Sequence, residues 1–258
     1  MGILNATPDS FSDGGTHLDP GVAIAAGLAM AADGADIIDV GGESTRPGAP
    51  VVPPEVEQAR VIPVIRALAD AGLTVSIDTR NAATMAAALD AGAAIVNDVS
   101  GLTFDPQSRP LVAHRGCPVV LMHMRGTPAT MNSLTQYDDL IRDVTRELQA
   151  RLVLAMAAGI GRDLIALDPG IGFAKTGEQS VAILRRLDAF VALGFPVLVG
   201  VSRKSFIGRM TNEPDASRRL GGSLAAALFA ASRGAAILRV HDVRETAQAI
   251  AIWESLRA

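Results

Sequence analysis

A chain of 258 residues with a net charge of −4 has the size of one α/β barrel rather than two independent domains, and it offers no basic footprint for nucleic acid. At 49% hydrophobic and only 3% aromatic, its core has to be built from Ala, Val, Ile and Leu. The one cysteine, Cys117, excludes an intrachain disulfide and points to a reducing cytosol, and Met1 leads into an apolar stretch with no basic secretory leader.

The first predicted strand, Gly2–Thr7, runs into Pro8-Asp9-Ser10-Phe11-Ser12-Asp13-Gly14-Gly15. The Pro, Ser, Asp and Gly content makes this segment a loop. An aromatic and two acids between a strand and a helix have the make-up of a lid. A helix over Val22–Ala32 follows, apolar nearly all round, so it is expected to pack on the sheet. The Ala-rich run Val22–Ile38 is interrupted by Asp33 and glycines, and is too short and broken to span a bilayer. Strand two, Asp36–Val40, opens into Gly41-Gly42-Glu43-Ser44-Thr45-Arg46-Pro47-Gly48. The glycines allow a sharp turn, while Ser, Thr and Arg offer donors suited to an anion. Pro53-Pro54-Glu55 begins a helix expected to reach Ala71, with a kink or break at Pro63.

From here one pattern repeats: a helix end, a turn with glycine, then a short apolar strand closing on a polar residue. It recurs at Ala71-Gly72 before Thr74–Asp78, at Ala91-Gly92 before Ala94–Asn97, and at Arg115-Gly116 before Val119–His123. It returns at Ala158-Gly159 before Leu164–Asp168, at Leu193-Gly194 before Val197–Ser202, and at Arg233-Gly234 before Ala236–His241. Glycine at these points suits the positive φ of a helix C-terminus. Eight successive βα units predict an α/β fold, a (β/α)8 TIM barrel forming a single domain over residues 1–258.

Side-chain alternation sorts the strand residues into two faces. Ser76 shares a face with Asp78, Ile95 with Asn97, Ala166 with Asp168, and Arg239 with His241. The outward set is apolar; the inward set is polar at the strand C-terminal ends, where barrel enzymes place their chemistry. Taken singly, these residues have plainer explanations. Asp168-Pro169-Gly170 is a common turn signal, Asn97-Asp98 suits a helix cap, and His123 reads as a satisfied core histidine rather than a metal ligand. No H-E-x-x-H, paired cysteines or histidine cluster indicates zinc. Together, however, Asn5, Asp78, Asn97, Asp168, Lys204, Arg239 and His241 all fall at or just beyond strand ends. Buried charge is costly unless paired, so such a set points to a ligand.

The residues divide chemically. Asp78, Asn97, Asp168 and Lys204 suit a flat heterocycle with an amino-oxo edge, whose adjacent N–H groups one carboxylate accepts at about 1.5–3 kcal/mol per charge-assisted bond. Arg46, Arg239 and His241, with Asn5, suit an anion of phosphate type. The residues alone thus describe a barrel that binds a heterocycle beside a phosphate or pyrophosphate, and leave the reaction open.

Gly2–Gly15 and Gly41–Ala49 resemble two signature stretches of the dihydropteroate synthase family. Ser76–Thr79, Asn97–Gly101, Leu121–Met124, Asp168–Phe173, Ser202–Ser205 and Arg239–Val243 continue the resemblance in order along the chain. It implies a (β/α)8 barrel that condenses 6-hydroxymethyl-7,8-dihydropterin pyrophosphate with p-aminobenzoate, giving 7,8-dihydropteroate and pyrophosphate in folate synthesis. Under this resemblance Asp78, Asn97, Asp168 and Lys204 hold the pterin, with Met122 as an apolar contact that alternation points away from His123. Asn5, Arg239 and His241 hold the pyrophosphate, and Asn5 helps to position Mg2+. Thr45, Arg46, Pro47, Phe173 and Ser205 shape the p-aminobenzoate site, with Phe11 and Asp13 on the first mobile loop. Departure of pyrophosphate leaves a cationic methylene that the arylamine attacks; Asn5, Arg46, Asp78, Lys204, Arg239 and His241 form the implied catalytic set. The loops Pro8–Gly15 and Gly42–Gly48 are expected to close over the bound pterin diphosphate. The resemblance also implies a homodimer formed through Gly221–Arg233 and the C-terminal helix, while the charge, the single cysteine and the broken apolar runs predict a cytoplasmic protein with no nucleic-acid or membrane partner.

Two departures stand out. Ala6 occupies a position where the family usually has Val, and Met1 lies inside the first strand, where relatives usually carry an extra segment. Either a short first strand weakens closure at the barrel bottom, or the start of the sequence is trimmed. Two rival readings remain at this stage. A pterin-dependent methyltransferase working with a corrinoid protein leaves Arg239-x-His241 and Ser44-Thr45-Arg46-Pro47 without a purpose. A non-catalytic pterin-binding paralogue has no need for every matched site position to keep its chemistry.

Overall fold

The computed structural model describes residues 1–7, 19–44, 48–49 and 51–257. Strands β1 (Gly2–Asn5), β2 (Ile38–Gly41), β3 (Val75–Asp78), β4 (Ile95–Asp98), β5 (Val119–Met122) and β6 (Ile165–Asp168) pair in sequence order, all parallel. β7 (Leu198–Val199) and β8 (Ile237–Leu238) form a second parallel pair. Parallel bridges Leu167↔Val197 and Gly2↔Val240 join the two sets, so the eight strands close into a barrel.

Closure at the first strand is complete rather than weak. Ile3 N donates to Val240 O at 2.9 Å, Val240 N to Met1 O at 3.0 Å, and Gly2 N to Ile37 O at 2.8 Å. The short opening strand is thus bonded to both of its neighbours. β7 and β8 are shorter than the sequence predicts, with two residues each in the regular ladder, although Arg239 N still donates to Val199 O at 3.0 Å.

The six glycines expected at helix ends, from Gly72 to Gly234, adopt φ between 60° and 106°, and Gly34 at the end of the first helix does the same at 103°. Each turns the chain from a helix back into the next strand. The helix Pro54–Asp70 runs unbroken through Pro63. Loss of one hydrogen bond there is outweighed by the packing of Val61, Val64, Ile65 and Leu68, all fully buried.

Alternation holds around the barrel. Leu4, Val40, Ile77, Val96, Leu121 and Leu167 belong to the continuous apolar core between strands and helices. Their neighbours Asn5, Asp39, Asp78, Asn97, Met122 and Asp168 take the opposite face, toward the barrel axis. A separate small apolar cluster of Val99, Met122, Met124, Met131 and Ala174, flanked by Phe173, sits beyond the strand ends.

Candidate active site

Register brings the polar strand ends together. Asn5 is level with Gly41, Gly41 with Asp78, and Asp78 with Asn97. Met122 is level with Asp168, so both face inward. That agrees with the alternation setting Met122 apart from His123.

The centre of the site is a charge cluster that the sequence reading did not anticipate. Arg239 Nε donates to Asp39 Oδ2 at 2.6 Å, and Arg239 Nη2 to Asp78 Oδ2 at 2.7 Å. Asn97 Nδ2 donates to the same Asp39 Oδ2 at 2.9 Å. Two carboxylates thus share one guanidinium. The Asp78 carboxyl is raised to about 7, chiefly by burial, with Arg239 opposing the rise and Asp39 adding to it. Burial opposes the Arg239 charge, but Asp39 and Asp78 outweigh it and hold the guanidinium more firmly protonated than usual. Asp39 Oδ1 and Asp78 Oδ1 are buried without a hydrogen-bond partner among the described residues. Unmatched acceptors of this kind are unfavourable in an empty protein and suit the N–H donors of a ligand.

The expected separation into a heterocycle set and an anion set therefore needs correction. Arg239, assigned to the anion, is bonded to Asp78 of the other set, because closure of β8 onto β1 carries its side chain across to β2 and β3. His241 is held by Ser202. Its N donates to Ser202 Oγ at 3.1 Å, and its Nδ1 lies 3.0 Å from the same oxygen.

On the far side of the mouth, Asp168 Oδ1 accepts from Gly170 N at 2.6 Å. The Asp-Pro-Gly turn and the site are one feature: the turn holds one carboxylate oxygen and orients the other. Gly170 has φ 69°, and a Cβ there would stand 2.0 Å from the His123 carbonyl oxygen. Burial raises the Asp168 pKa, while Lys204, the Gly170 N–H, Lys175 and Arg239 oppose the rise. Lys204 Nζ donates to the Ile171 carbonyl and lies 4.7 Å from the Phe173 ring centroid. Burial brings the Lys204 pKa down to about 8, with Asp168 opposing. Phe173 is half-buried, and Ser205 is exposed as the first residue of the helix Ser205–Thr211. Phe11, Asp13, Thr45, Arg46 and Pro47 lie outside the described residues, as do the loops that carry them.

Asn97-Asp98 does not cap a helix. Asn97 binds Asp39, while Asp98 accepts from Ser100 N at 2.7 Å and Leu102 N at 3.0 Å, closing a turn well before the next helix at Ser108. His123 is the satisfied core histidine expected of it. Its Nε2 lies 2.9 Å from Glu147 Oε2 and its Nδ1 2.9 Å from Lys175 Nζ; burial drives its pKa down to about 3, so the ring is neutral.

Asp39 is the residue that sequence reasoning missed. An acid within the otherwise apolar Ile38-Asp39-Val40, on the face of Gly41, was the available signal. Glu43 and Arg80 were also missed. They form an ion pair at 2.9 Å with both side chains buried, and Arg80 stacks 4.1 Å from the Phe104 ring centroid.

A closed parallel barrel with carboxylates, an amide and two cations at the strand C-terminal ends has the arrangement of a barrel enzyme, with its site at that mouth. The family model described as "Pterin binding enzyme" matches residues 1–241. The dihydropteroate synthase of Synechocystis sp. is 48% identical over 257 residues, which cover 99% of this chain and 89% of that protein. Among solved structures, the Xanthomonas albilineans dihydropteroate synthase with 4-aminobenzoic acid is 47% identical with a TM-score of 0.94, covering 100% of this chain and 92% of that one. The same enzyme in complex with 7,8-dihydropteroate aligns at a TM-score of 0.90 and 44% identity, with coverage again 100% and 92%. The chain belongs to the dihydropteroate synthase family.

Proposed function

We propose that the barrel mouth binds 6-hydroxymethyl-7,8-dihydropterin pyrophosphate and joins it to p-aminobenzoate, giving 7,8-dihydropteroate and pyrophosphate. The observation that carries the reading is the inward group of Asp39, Asp78, Asn97 and Asp168, in which one oxygen each of Asp39 and Asp78 has no partner among the described residues. A pterin supplies the complementary N–H donors. Asp168 accepts from the ring through the oxygen that Gly170 does not hold, and Lys204 donates to the ring's oxo edge. Met122 provides an apolar contact. Asp78 and Asn97 receive the opposite edge of the ring, and Arg239 lies between them and the pyrophosphate.

Breaking the methylene–oxygen bond sends an electron pair to the pyrophosphate and leaves positive charge on the pterin methylene. The nearby carboxylates stabilise that charge, while Arg239, Arg46 and His241 stabilise the departing anion. The arylamine nitrogen then forms the new C–N bond and releases a proton. Phe173, Ser205, Thr45, Pro47 and Phe11 shape the arylamine site. Asn5, half-buried at the end of β1, offers one neutral oxygen. That donor fits a Mg2+ ion held mainly by substrate phosphates and water, an ion that would neutralise charge on the leaving group.

We further infer a cytosolic homodimer. A groove of about 490 Å3 is lined by Leu224, Leu228, Ile252, Trp253 and Leu256, and Ile252 and Leu256 are largely exposed. This is the face formed by the helices Leu220–Ser232 and Val243–Ser255, which the resemblance designates.

Mixing the pterin pyrophosphate with p-aminobenzoate, with and without Mg2+, tests the reaction. Pyrophosphate release that requires the arylamine is expected. No release, or release at the same rate without arylamine, overturns the reading.

A further inference from the structure

Lys175 is buried and makes no ion pair among the described residues. Its Nζ lies 2.9 Å from His123 Nδ1 and donates to the Phe173 carbonyl at 3.0 Å. Burial drives its pKa well down, and Asp168 opposes this. An apolar side chain of similar length would occupy the same space without that desolvation.

The segment that Lys175 holds is itself unfavourable. The backbone is left-handed at Gly170, Gly172 and Ala174, with φ of 69°, 79° and 50°. At Ala174 the Cβ makes this conformation cost about 1–2 kcal/mol. Three carbonyls of the run are held by side chains, two of them from elsewhere in the fold. Lys204 donates to Ile171 O, Lys175 to Phe173 O, and Tyr137 Oη to Ala174 O at 3.0 Å. Strain kept in place by surrounding contacts is a mark of functional positions.

We propose that Lys175 is a positioning residue, pinning the Phe173 carbonyl so that the Phe173 ring presents one fixed face to the arylamine substrate. Neutral His123 completes the pin: it accepts from Lys175 through Nδ1 and donates through Nε2 to Glu147. Burial raises the Glu147 carboxyl, but bonds from His123 and Arg125 outweigh it and keep the group ionised. The proposal rests on reading Phe173 as part of the p-aminobenzoate site.

Lys175→Met fills the space without a donor. It is expected to raise KM for p-aminobenzoate by about tenfold or more, the equivalent of one lost hydrogen bond to a charged group. Pterin affinity measured by calorimetry without arylamine should change by less than about threefold, below 1 kcal/mol. A mere folding defect would lower kcat at constant KM. Tyr137→Phe removes the donor on the next carbonyl with little risk to folding. It should raise the same KM and combine with Lys175→Met less than additively, because both act on one loop. Unchanged KM in both single variants, additive effects, or an equal loss of pterin affinity overturns the proposal. If instead Phe173→Ala leaves this KM unchanged, the underlying assignment of Phe173 fails, a result distinguishable from failure of the pin.

Discussion

Asp168 divides its two oxygens between the protein and the space at the barrel mouth. Oδ1 is satisfied by Gly170 N, so in Asp168→Asn the amide oxygen will take that place and turn the NH2 group toward the ring donors of the pterin. Pterin affinity should fall by roughly tenfold to more than a hundredfold, one or two charge-assisted bonds. Calorimetry showing affinity within a factor of about two, a few tenths of a kcal/mol, rejects the assignment. Lys204 sets a pH limit. Burial depresses its pKa to about 8, so it is an ammonium below that pH and a neutral amine above it. The free-enzyme profile of kcat/KM should therefore decline as pH rises through about 8, and Lys204→Arg should remove that limb. An alkaline limb identical in the variant assigns it to another group. Arg239→Ala is expected to act differently from what sequence alone implies. Deleting the guanidinium leaves Asp39 and Asp78 buried side by side, so thermal stability should drop by about 3–5 kcal/mol, and both free pterin and its pyrophosphate ester should bind less tightly. Selective loss of ester binding at full stability would show that the cluster is not what holds Arg239.

Between elements, buried polar links hold the loops that the strands launch. Glu43, following β2, pairs with Arg80, following β3, and also accepts from Val52 N at 3.2 Å. One carboxylate thereby ties both ends of the connection between β2 and the helix Pro54–Asp70 to the neighbouring loop. Glu57 on that helix accepts from Thr79, Asn81 and Thr84 through a single oxygen, adding a second tie to β3 and the helix Ala82–Asp90. Arg80→Ala should destabilise by about 3–5 kcal/mol, because it leaves Glu43 buried and unpaired. The double variant with Glu43→Ala should be more stable than Arg80→Ala alone, and denaturant unfolding of the four members of the cycle measures this. A double variant less stable than either single one would show that the two residues act separately.

At the scale of the whole molecule, the site depends on the seam. Arg239 reaches Asp39 across 200 residues of sequence, and the bridge Gly2↔Val240 is what makes that distance short. The proposed homodimer adds a second long-range feature. Ile252→Glu places a carboxylate in the apolar groove beside Trp253, and sedimentation velocity should then find a monomer where the wild type is a dimer. A monomeric wild-type protein at micromolar concentration rejects the dimer.

The sequence by itself determined the succession of βα units, the glycine turns and the inward parity of Asp78, Asn97, Asp168 and Arg239. These follow from rules of short range: φ freedom at a glycine, and a period of two along a strand. It also carried motifs enough to place the chain in its family. Which inward residues bond to one another was decided only by the tertiary structure. Asp39 between Arg239 and Asn97, Lys175 against His123, and Glu43 against Arg80 are each brought together from separate βα units. The same holds for the first strand, whose shortness suggested a weak seam until Val240 bonded to Met1 and Ile3. A strand reveals locally which way a side chain points, but buried charges choose partners by distance and desolvation, and both arise only when the barrel closes.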